Sequence, residues 1–223
     1  METSLHRQLK EMYAGLEART EVRLGGFRID AVVDDQLFEI QHGSLAAIRR
    51  KILRLVETHQ VVVVKPLIAE KVLVKQSKLG GKVIERRRSP KRESLLDLFG
   101  ELIYFVGVFP HPQLRLEVPI VEMEEWRYPG HGRRRRWRRD DHVVEDQKLV
   151  AVREVHTFAT ADDLLSLLPR RLPKPFHTGH LADGLGVHRS IAQRIAYCLR
   201  KMGGFAETGK KGNALLYELR RAG

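Results

Sequence analysis

The sequence predicts an α/β fold followed by a smaller, largely helical unit at the carboxy terminus. Apolar residues recur at helical spacing over residues 2–18, which indicates an amphipathic helix. Two short segments between residues 25 and 41 alternate between polar and apolar side chains, and residues 61–64 are four consecutive valines. Alternation is typical of a half-buried strand, and a continuous apolar run is typical of a strand covered on both faces. Three prolines crowd residues 169–175, which we interpret as a linker.

The composition favours a polyanionic partner. The chain has 223 residues, of which 43% are hydrophobic, and its formal net charge is +12. This positive excess indicates nucleic acid first and an acidic membrane surface second. Cys198 is the only cysteine, so no disulfide can form within the chain, which fits a reducing compartment. No apolar run reaches the roughly 18 residues that a membrane helix needs, so we predict a cytoplasmic protein.

The remaining elements follow in order along the chain. Ser44 is a suitable N-cap for a helix that runs to about Thr58, so the strand before it, this helix and the valine strand form a βαβ crossover. Gly80 and Gly81 mark the turn of a polar hairpin. The patterns then predict one further helix and two further strands, at residues 91–106, 113–128 and 142–158.

The segment RIDAVVDDQLFEIQ, residues 28–41, places acidic side chains inside apolar strands. With Asp34 and Asp35 at the tip of a hairpin, Asp30 opposes Glu39, and Gln41 lies on the same face. On that register Ile29, Ala31, Phe38 and Ile40 share the other face. Like charges directly opposite each other in a sheet repel, so a divalent cation would stabilise the pair. The alternative is a solvated strand face, on which two carboxylates repel weakly and need no metal.

This order of elements, with Asp on one strand and Glu-x-Gln on the next, resembles the PD-(D/E)XK nuclease superfamily over residues 2–68. The resemblance implies a restriction-endonuclease-like αβββαβ core, here with an extra hairpin and strands. It implies that Asp30 and Glu39 bind Mg²⁺ or Mn²⁺ and that an acid on or just after the first helix completes the catalytic site, for which Glu17 is preferred over Glu21. The implied activity is hydrolysis of DNA phosphodiester bonds. Cutting both strands in paired events would require a homodimer.

Two positions depart from the pattern of that superfamily. Ile29 precedes Asp30, where the superfamily has proline, and Gln41 stands where it usually has lysine. A glutamine side chain can hydrogen-bond a water molecule but carries no positive charge. We therefore keep a rival prediction, in which the fold is degenerate and the protein is a non-catalytic DNA-binding regulator or scaffold.

Residues 176–223 resemble a winged helix-turn-helix. Two short helical segments are followed by a hairpin with a basic Gly-Asn turn, and from Arg170 onward the chain holds 11 Lys and Arg against 3 Asp and Glu. The second helix is predicted to enter the major groove of duplex DNA, with Ile191, Ile195 and Leu199 packed inward. The residues expected to contact DNA are His188, Arg189, Ser190, Gln193, Arg194 and, on the wing, Lys210 and Lys211. A winged helix used for protein contact is the alternative.

The densest charge run is RRRRWRR at residues 133–139, within which Arg135 and Arg136 are candidate DNA contacts. A flexible basic loop is an equal alternative.

The predicted domains are a nuclease-like domain at 1–168, the linker, and the winged helix at 176–223. The whole arrangement also resembles an uncharacterised bacterial family. RNA binding is compatible with the charge and remains a third hypothesis.

Overall fold

A computed structural model describes residues 2–15, 18–130 and 141–220 of the chain. It is a mixed α/β structure in which helices cover both faces of one large mixed sheet. The α-helices are α1 Ser4–Ala14, α2 Arg49–Leu55, α3 Leu98–Leu102, α4 Ala161–Leu165, α5 Thr178–Leu185 and α6 Arg189–Lys201. The strands are β1 Arg19–Leu24, β2 Phe27–Val33, β3 Gln36–Ile40, β4 Val61–Val64, β5 Leu67–Gln76, β6 Val83–Arg88, β7 Leu114–Pro129, β8 His142–Phe158, β9 Phe205–Lys211 and β10 Ala214–Leu219.

The first half of the sheet is an antiparallel meander of β1, β2 and β3, and β3 then pairs in parallel with β4. The helical segment between β3 and β4 makes this a βαβ crossover, as the sequence predicts. Two residues form the tip of the β2–β3 hairpin, Asp34 at φ 45° and Asp35 at φ 63°, and Val33 pairs with Gln36. This result confirms the predicted hairpin tip and the register next to it, but the backbone pairs end at Ala31 with Phe38 and do not include Asp30 with Glu39.

The long strand β7 organises the second half of the sheet. One edge of β7 pairs in parallel with β4 and then with β5, and the other edge pairs antiparallel with β8. β6 pairs with β5 and ends the sheet on that side. The sheet therefore has two ends made by hairpins, β1–β2 at one side and β5–β6 at the other.

Two hydrophobic clusters lie on the sheet. The smaller one packs Leu5 and Leu9 of α1 against Ile40, Val62 and their neighbours. The larger one contains α2, α3 and the apolar residues of α5, α6 and β9. The cluster is therefore continuous across the predicted linker at residues 169–175.

The helices are shorter than their apolar patterns predict. α1 ends at Gly15, whose φ of 64° terminates a helix, rather than at residue 18. The helix predicted from Ser44 to Thr58 is a 3₁₀ turn, Leu45–Ile48, that leads into α2. The helix predicted at 91–106 begins only after Ser94, which forms a capping box with Asp97.

One face assignment was wrong. Ile29 belongs to the larger cluster, together with Val32 and Leu37, and not with Ile40 on the other face. The pairing of β1 with β2 keeps one register but omits Glu21 and Asp30, which lie between the pairs Thr20–Ala31 and Val22–Ile29. Glu21 has a φ of 57°. A residue at positive φ redirects neighbouring side chains, so a strict period of two fails at Asp30.

Within the described ranges, no helix has both the length and the apolar character needed to cross a bilayer.

Candidate functional site

Asp30 lies where β2 and β3 stop pairing through their backbones. The last backbone pair on this side is Ala31 with Phe38. Beyond it, Oδ2 of Asp30 accepts a hydrogen bond from the backbone N–H of Ile40 at 2.8 Å and contacts Nε2 of His6 at 3.3 Å. The Asp30 carboxylate thus accepts the Ile40 N–H in place of a backbone carbonyl of β2, and β2 and β3 separate at this residue.

Glu39, at the same point of β3, is buried and contacts α2. Its Oε2 accepts a hydrogen bond from Nζ of Lys51, which also donates to the carbonyl of Arg28. The exposed fraction of Glu39 is 7%. A carboxylate this buried requires a charged partner, and Lys51 is that partner.

The two acids and their cations form one electrostatic unit. Burial, reinforced by the charge of Asp30, raises the pKa of Glu39 to about 7. Burial also opposes ionisation of Asp30, but the hydrogen bonds from His6 and Ile40 outweigh it and hold the pKa of Asp30 below its ordinary value. The hydrogen bond to Asp30 raises the pKa of His6. Near neutral pH the site therefore contains one ionised carboxylate and one that readily gains or loses a proton.

The chain itself supplies the cations that offset the repulsion expected between the acids. His6 comes from α1 on one face of the sheet, and Lys51 comes from α2 on the other, so the prediction that Asp30 and Glu39 share one face was wrong. In addition, Gly43 and His42 lie against buried Lys65, whose Nζ donates to their carbonyls at 2.6 and 3.0 Å. The loop that follows β3 is thereby anchored to the end of β4.

A divalent cation would need carboxylate oxygens that are not already hydrogen-bonded. Oδ1 of Asp30 and Oε1 of Glu39 accept no hydrogen bond from the described residues, so each has an oxygen to offer. Mg²⁺ usually takes one or two carboxylates and completes its shell with water and substrate phosphate. Among residues 2–15, 18–130 and 141–220, no group of three or more His, Cys, Asp or Glu side chains could hold a metal. Glu17, predicted to complete the catalytic site, lies outside these residues.

Gln41 faces the loop after β3. Its side-chain amide donates to the carbonyl of Ser44 at 2.9 Å, and its backbone N–H donates to Val64. The side chain that contacts Glu39 is instead Lys51. His6 was not predicted as a site residue. The spacing of Glu2, His6 and Lys10 by four along α1 was a usable signal, because it places three polar groups on one side of a helix otherwise packed by leucines.

The carboxy-terminal unit contains the second group of predicted site residues. Ile195 and Leu199 of α6 are buried, as predicted, and Ile191 is half-buried. Arg189, Gln193 and Arg194 are exposed.

His188, which is predicted to contact DNA, also caps α6. Nδ1 of His188 accepts a hydrogen bond from the N–H of Ser190 at 3.3 Å and contacts its Oγ at 2.9 Å. Lys210 and Lys211 are exposed at the end of β9. Arg135 and Arg136 lie outside the described residues.

The flank of α6 packs against α3. Sγ of Cys198 lies 3.6 Å from the carbonyl oxygen of Phe99, and burial raises the pKa of this thiol to about 12. From α3, Glu101 accepts a hydrogen bond from the N–H of Leu45, directly after the loop that follows Gln41. The carboxy-terminal helix and the Asp30–Glu39 site are therefore connected through α3.

Fold and site together define an α/β protein with a coupled carboxylate pair at the separation of two strands. The chain belongs to DUF8091, a domain of unknown function, which matches residues 3–159. An uncharacterized protein of Treponema pallidum (strain Nichols) is 30% identical over 218 residues, which cover 97% of this chain and 84% of that protein. This similarity extends beyond the family match into α5, α6 and the β9–β10 hairpin. No solved structure matches the chain.

Proposed function

We propose that the protein is a metal-dependent DNA nuclease whose carboxy-terminal winged helix holds the duplex. The observation that carries the proposal is the electrostatic interaction of Asp30 with the Glu39–Lys51 ion pair where β2 and β3 separate. The element order α1, three antiparallel strands, α2 and a parallel strand supports it, because this is the order that the nuclease resemblance implies.

Each residue of the site has a distinct role in this proposal. Asp30, kept ionised by His6 and the Ile40 amide, and Glu39 would hold Mg²⁺ or Mn²⁺ through oxygen ligands. The bound ion supplies charge neutralisation at the phosphate and a more acidic water molecule. Lys51 provides the positive charge that Gln41 cannot. Because the pKa of Glu39 is about 7 without a metal, Glu39 would have to lose its proton to bind the ion, so metal binding should strengthen as pH rises through 7.

The carboxy-terminal unit supports duplex binding through its shape and charge. Two helices precede a hairpin, and an isolated bridge between Phe176 and Tyr217 joins the start of the unit to β10. Arg189, Gln193 and Arg194 leave their polar ends exposed on α6, where they can reach base edges in the major groove. The wing would then contact phosphate through Lys210 and Lys211.

The test is a cleavage assay on supercoiled and linear DNA with Mg²⁺ or Mn²⁺. We expect cleavage by the parent protein and a loss of at least about a hundredfold in Asp30→Asn and Lys51→Met, with DNA affinity in EDTA unchanged. Arg54→Met, on an exposed position of the same helix, is the matched control. Cleavage that persists in Asp30→Asn would remove this site from the reaction.

A non-catalytic DNA-binding regulator is the second candidate function. It is favoured by the observation that Lys51 and His6 already neutralise both acids while Gln41 turns towards Ser44. Duplex binding that is lost in Arg189→Ala/Arg194→Ala, with no cleavage under any metal, would select this function. A competition between duplex DNA and RNA of the same length identifies the preferred nucleic acid.

A further inference from the structure

The β5–β6 hairpin forms one end of the sheet, and its turn, residues 77–82, lies beyond the last pair of β5 with β7, Lys75 with Arg127. β6 pairs with β5 only, and all six residues of β6 are exposed. We call β6 and this turn, together with the end of β5, the β5–β6 arm; β5 itself is covered by β7 on its other edge and buries Val74 and Gln76. A strand this exposed makes little contribution to the core, so its sequence is free to serve an interaction.

The tip of the arm is a tight and well-defined turn. The N–H of Gly81 donates to the carbonyl of Lys78 at 2.9 Å, and the N–H of Ser77 donates to the carbonyl of Lys82 at 2.9 Å. Gly80 has a φ of 63°, which glycine adopts without strain. A Cβ at Gly81 would lie 2.6 Å from Oγ of Ser77. These contacts fix the position of Leu79, which occupies the corner of the turn.

The side chain of Leu79 is 61% exposed at this corner. Val83 and Ile84, on the strand that leaves the turn, are 44% and 58% exposed. Val83 and Ile84 are adjacent in β6 and so lie on opposite faces of the hairpin, which leaves Leu79 as the apolar tip of the turn.

Positive charge surrounds the apolar tip. Residues 71–92 contain nine lysines and arginines and one glutamate. Several of these cations are held by acids along the sheet, as Lys71 is by Glu125 and Arg88 by Glu70. Lys75, Lys78 and Lys82 form no ion pair with any described residue, so the unneutralised charge lies at the tip.

A tight turn with flanking lysines and an apolar corner is complementary to the minor groove of duplex DNA. The groove is about 6 Å wide and lined on both sides by phosphates, and leucine is among the side chains that wedge between base pairs there. An anionic membrane would also attract the lysines. The duplex fits better because the apolar tip is only one turn wide and the proposed function already gives the protein a duplex partner.

We propose that the β5–β6 arm binds duplex DNA in the minor groove, with Lys78 and Lys82 on the phosphates at either side and Leu79 wedged between base pairs. The inference rests on the proposed function for the identity of the partner and adds a prediction of its own. The wedge should bend the duplex, because partial unstacking of one base step kinks DNA.

The test uses the full-length protein in EDTA, so that no cleavage can occur. Binding is measured by fluorescence anisotropy at several salt concentrations, and bending is measured by energy transfer between dyes at the two ends of a duplex of about 30 base pairs. The variants are Leu79→Ala and Lys78→Ala/Lys82→Ala. Val150→Ala, 56% exposed on β8, is the matched apolar control.

We expect Leu79→Ala to abolish most of the bend and to weaken binding about tenfold. Lys78→Ala/Lys82→Ala should lower the slope of log K against log salt by about two, because each phosphate contact contributes roughly 0.9. Netropsin, which occupies the minor groove, should compete with the parent protein, and Val150→Ala should behave like the parent protein.

An unchanged bend and salt slope in both arm variants would overturn the inference. Leu79-dependent binding to vesicles that contain phosphatidylserine, with no effect on the duplex, would overturn it in favour of a membrane. These outcomes are independent of the proposed cleavage, which is measured separately with metal. An arm that bends DNA in a protein that never cuts it would refute the nuclease proposal alone.

Discussion

Lys51 on α2 donates a hydrogen bond to the carboxylate of Glu39 at the end of β3. The pair links the helix of the βαβ crossover to the point where β2 and β3 separate. It explains how an acid with only 7% of its surface exposed is kept beside a second acid.

Replacing Lys51 with methionine should raise the pKa of Glu39 above its value of about 7. The lysine opposes the effects of burial and of Asp30, so its removal leaves both unopposed. The pKa can be followed by ¹³C NMR of the side-chain carboxyl carbons. Arg50→Met, at an exposed neighbouring position, should leave it unchanged. An unchanged pKa in Lys51→Met would show that the ion pair does not form in solution.

Glu39→Gln should become more stable relative to the parent protein as pH rises from about 4.5 to 7. The pKa of Glu39 is about 7 in the folded protein against an ordinary value of 4.5, so the folded form binds more protons in this interval. The stability of the parent protein therefore falls as pH rises through this interval, by about 3 kcal/mol in total. Urea unfolding of both proteins at pH 4.5, 6 and 8 measures the difference. A constant difference across this range would contradict the raised pKa.

Truncating Phe99 to alanine should destabilise the whole chain by roughly 3–5 kcal/mol, the usual cost of emptying an aromatic site in a core. Phe99 is fully buried in the cluster that includes α6 and β9. We expect a single thermal transition, because both parts share this core. Tyr104→Ala, 58% exposed, should change stability by less than about 0.5 kcal/mol. Two separate transitions would argue for independently folding parts.

Cys198 should react with thiol reagents only when α6 leaves α3. Burial raises the pKa of the thiol to about 12, so at pH 8 the folded protein has about a thousandfold less thiolate than an unfolded chain. Labelling with 5,5′-dithiobis(2-nitrobenzoate) in increasing urea should follow the unfolding curve. Fast labelling in native buffer would indicate that the helix detaches on its own.

The local patterns of the sequence were sufficient for β2, β3 and β4, but they did not identify β1, Arg19–Leu24. Alternation of side chains predicted the β2–β3 hairpin and its Asp34–Asp35 tip, and the valine run predicted β4. These features depend on neighbours in the chain. The shorter helices were missed because a glycine at positive φ and a capping box overrode the apolar periodicity.

The pairing within the site could not be predicted from the sequence. His6 and Lys51 reach Asp30 and Glu39 across 24 and 12 residues of chain, and the break in alternation at Glu21 has no local signature. The exposure of the arm could not be predicted from the sequence either. The segment KLGGK, residues 78–82, predicts a turn but does not show whether another strand covers it. Metal binding, cleavage and duplex recognition stay predictions that the assays above address.

The hydrophobic cluster shared by α3 and α6 has a practical consequence for dissecting the chain. A fragment that stops at residue 168 would leave Phe99 and Leu102 without the cover of α6, and the complementary fragment would bare Ala196 and Leu199. Such fragments should self-associate or require detergent, while co-expressed halves should find each other. Because the two fragments share one hydrophobic cluster, they should associate and restore the fold when they are produced as separate chains.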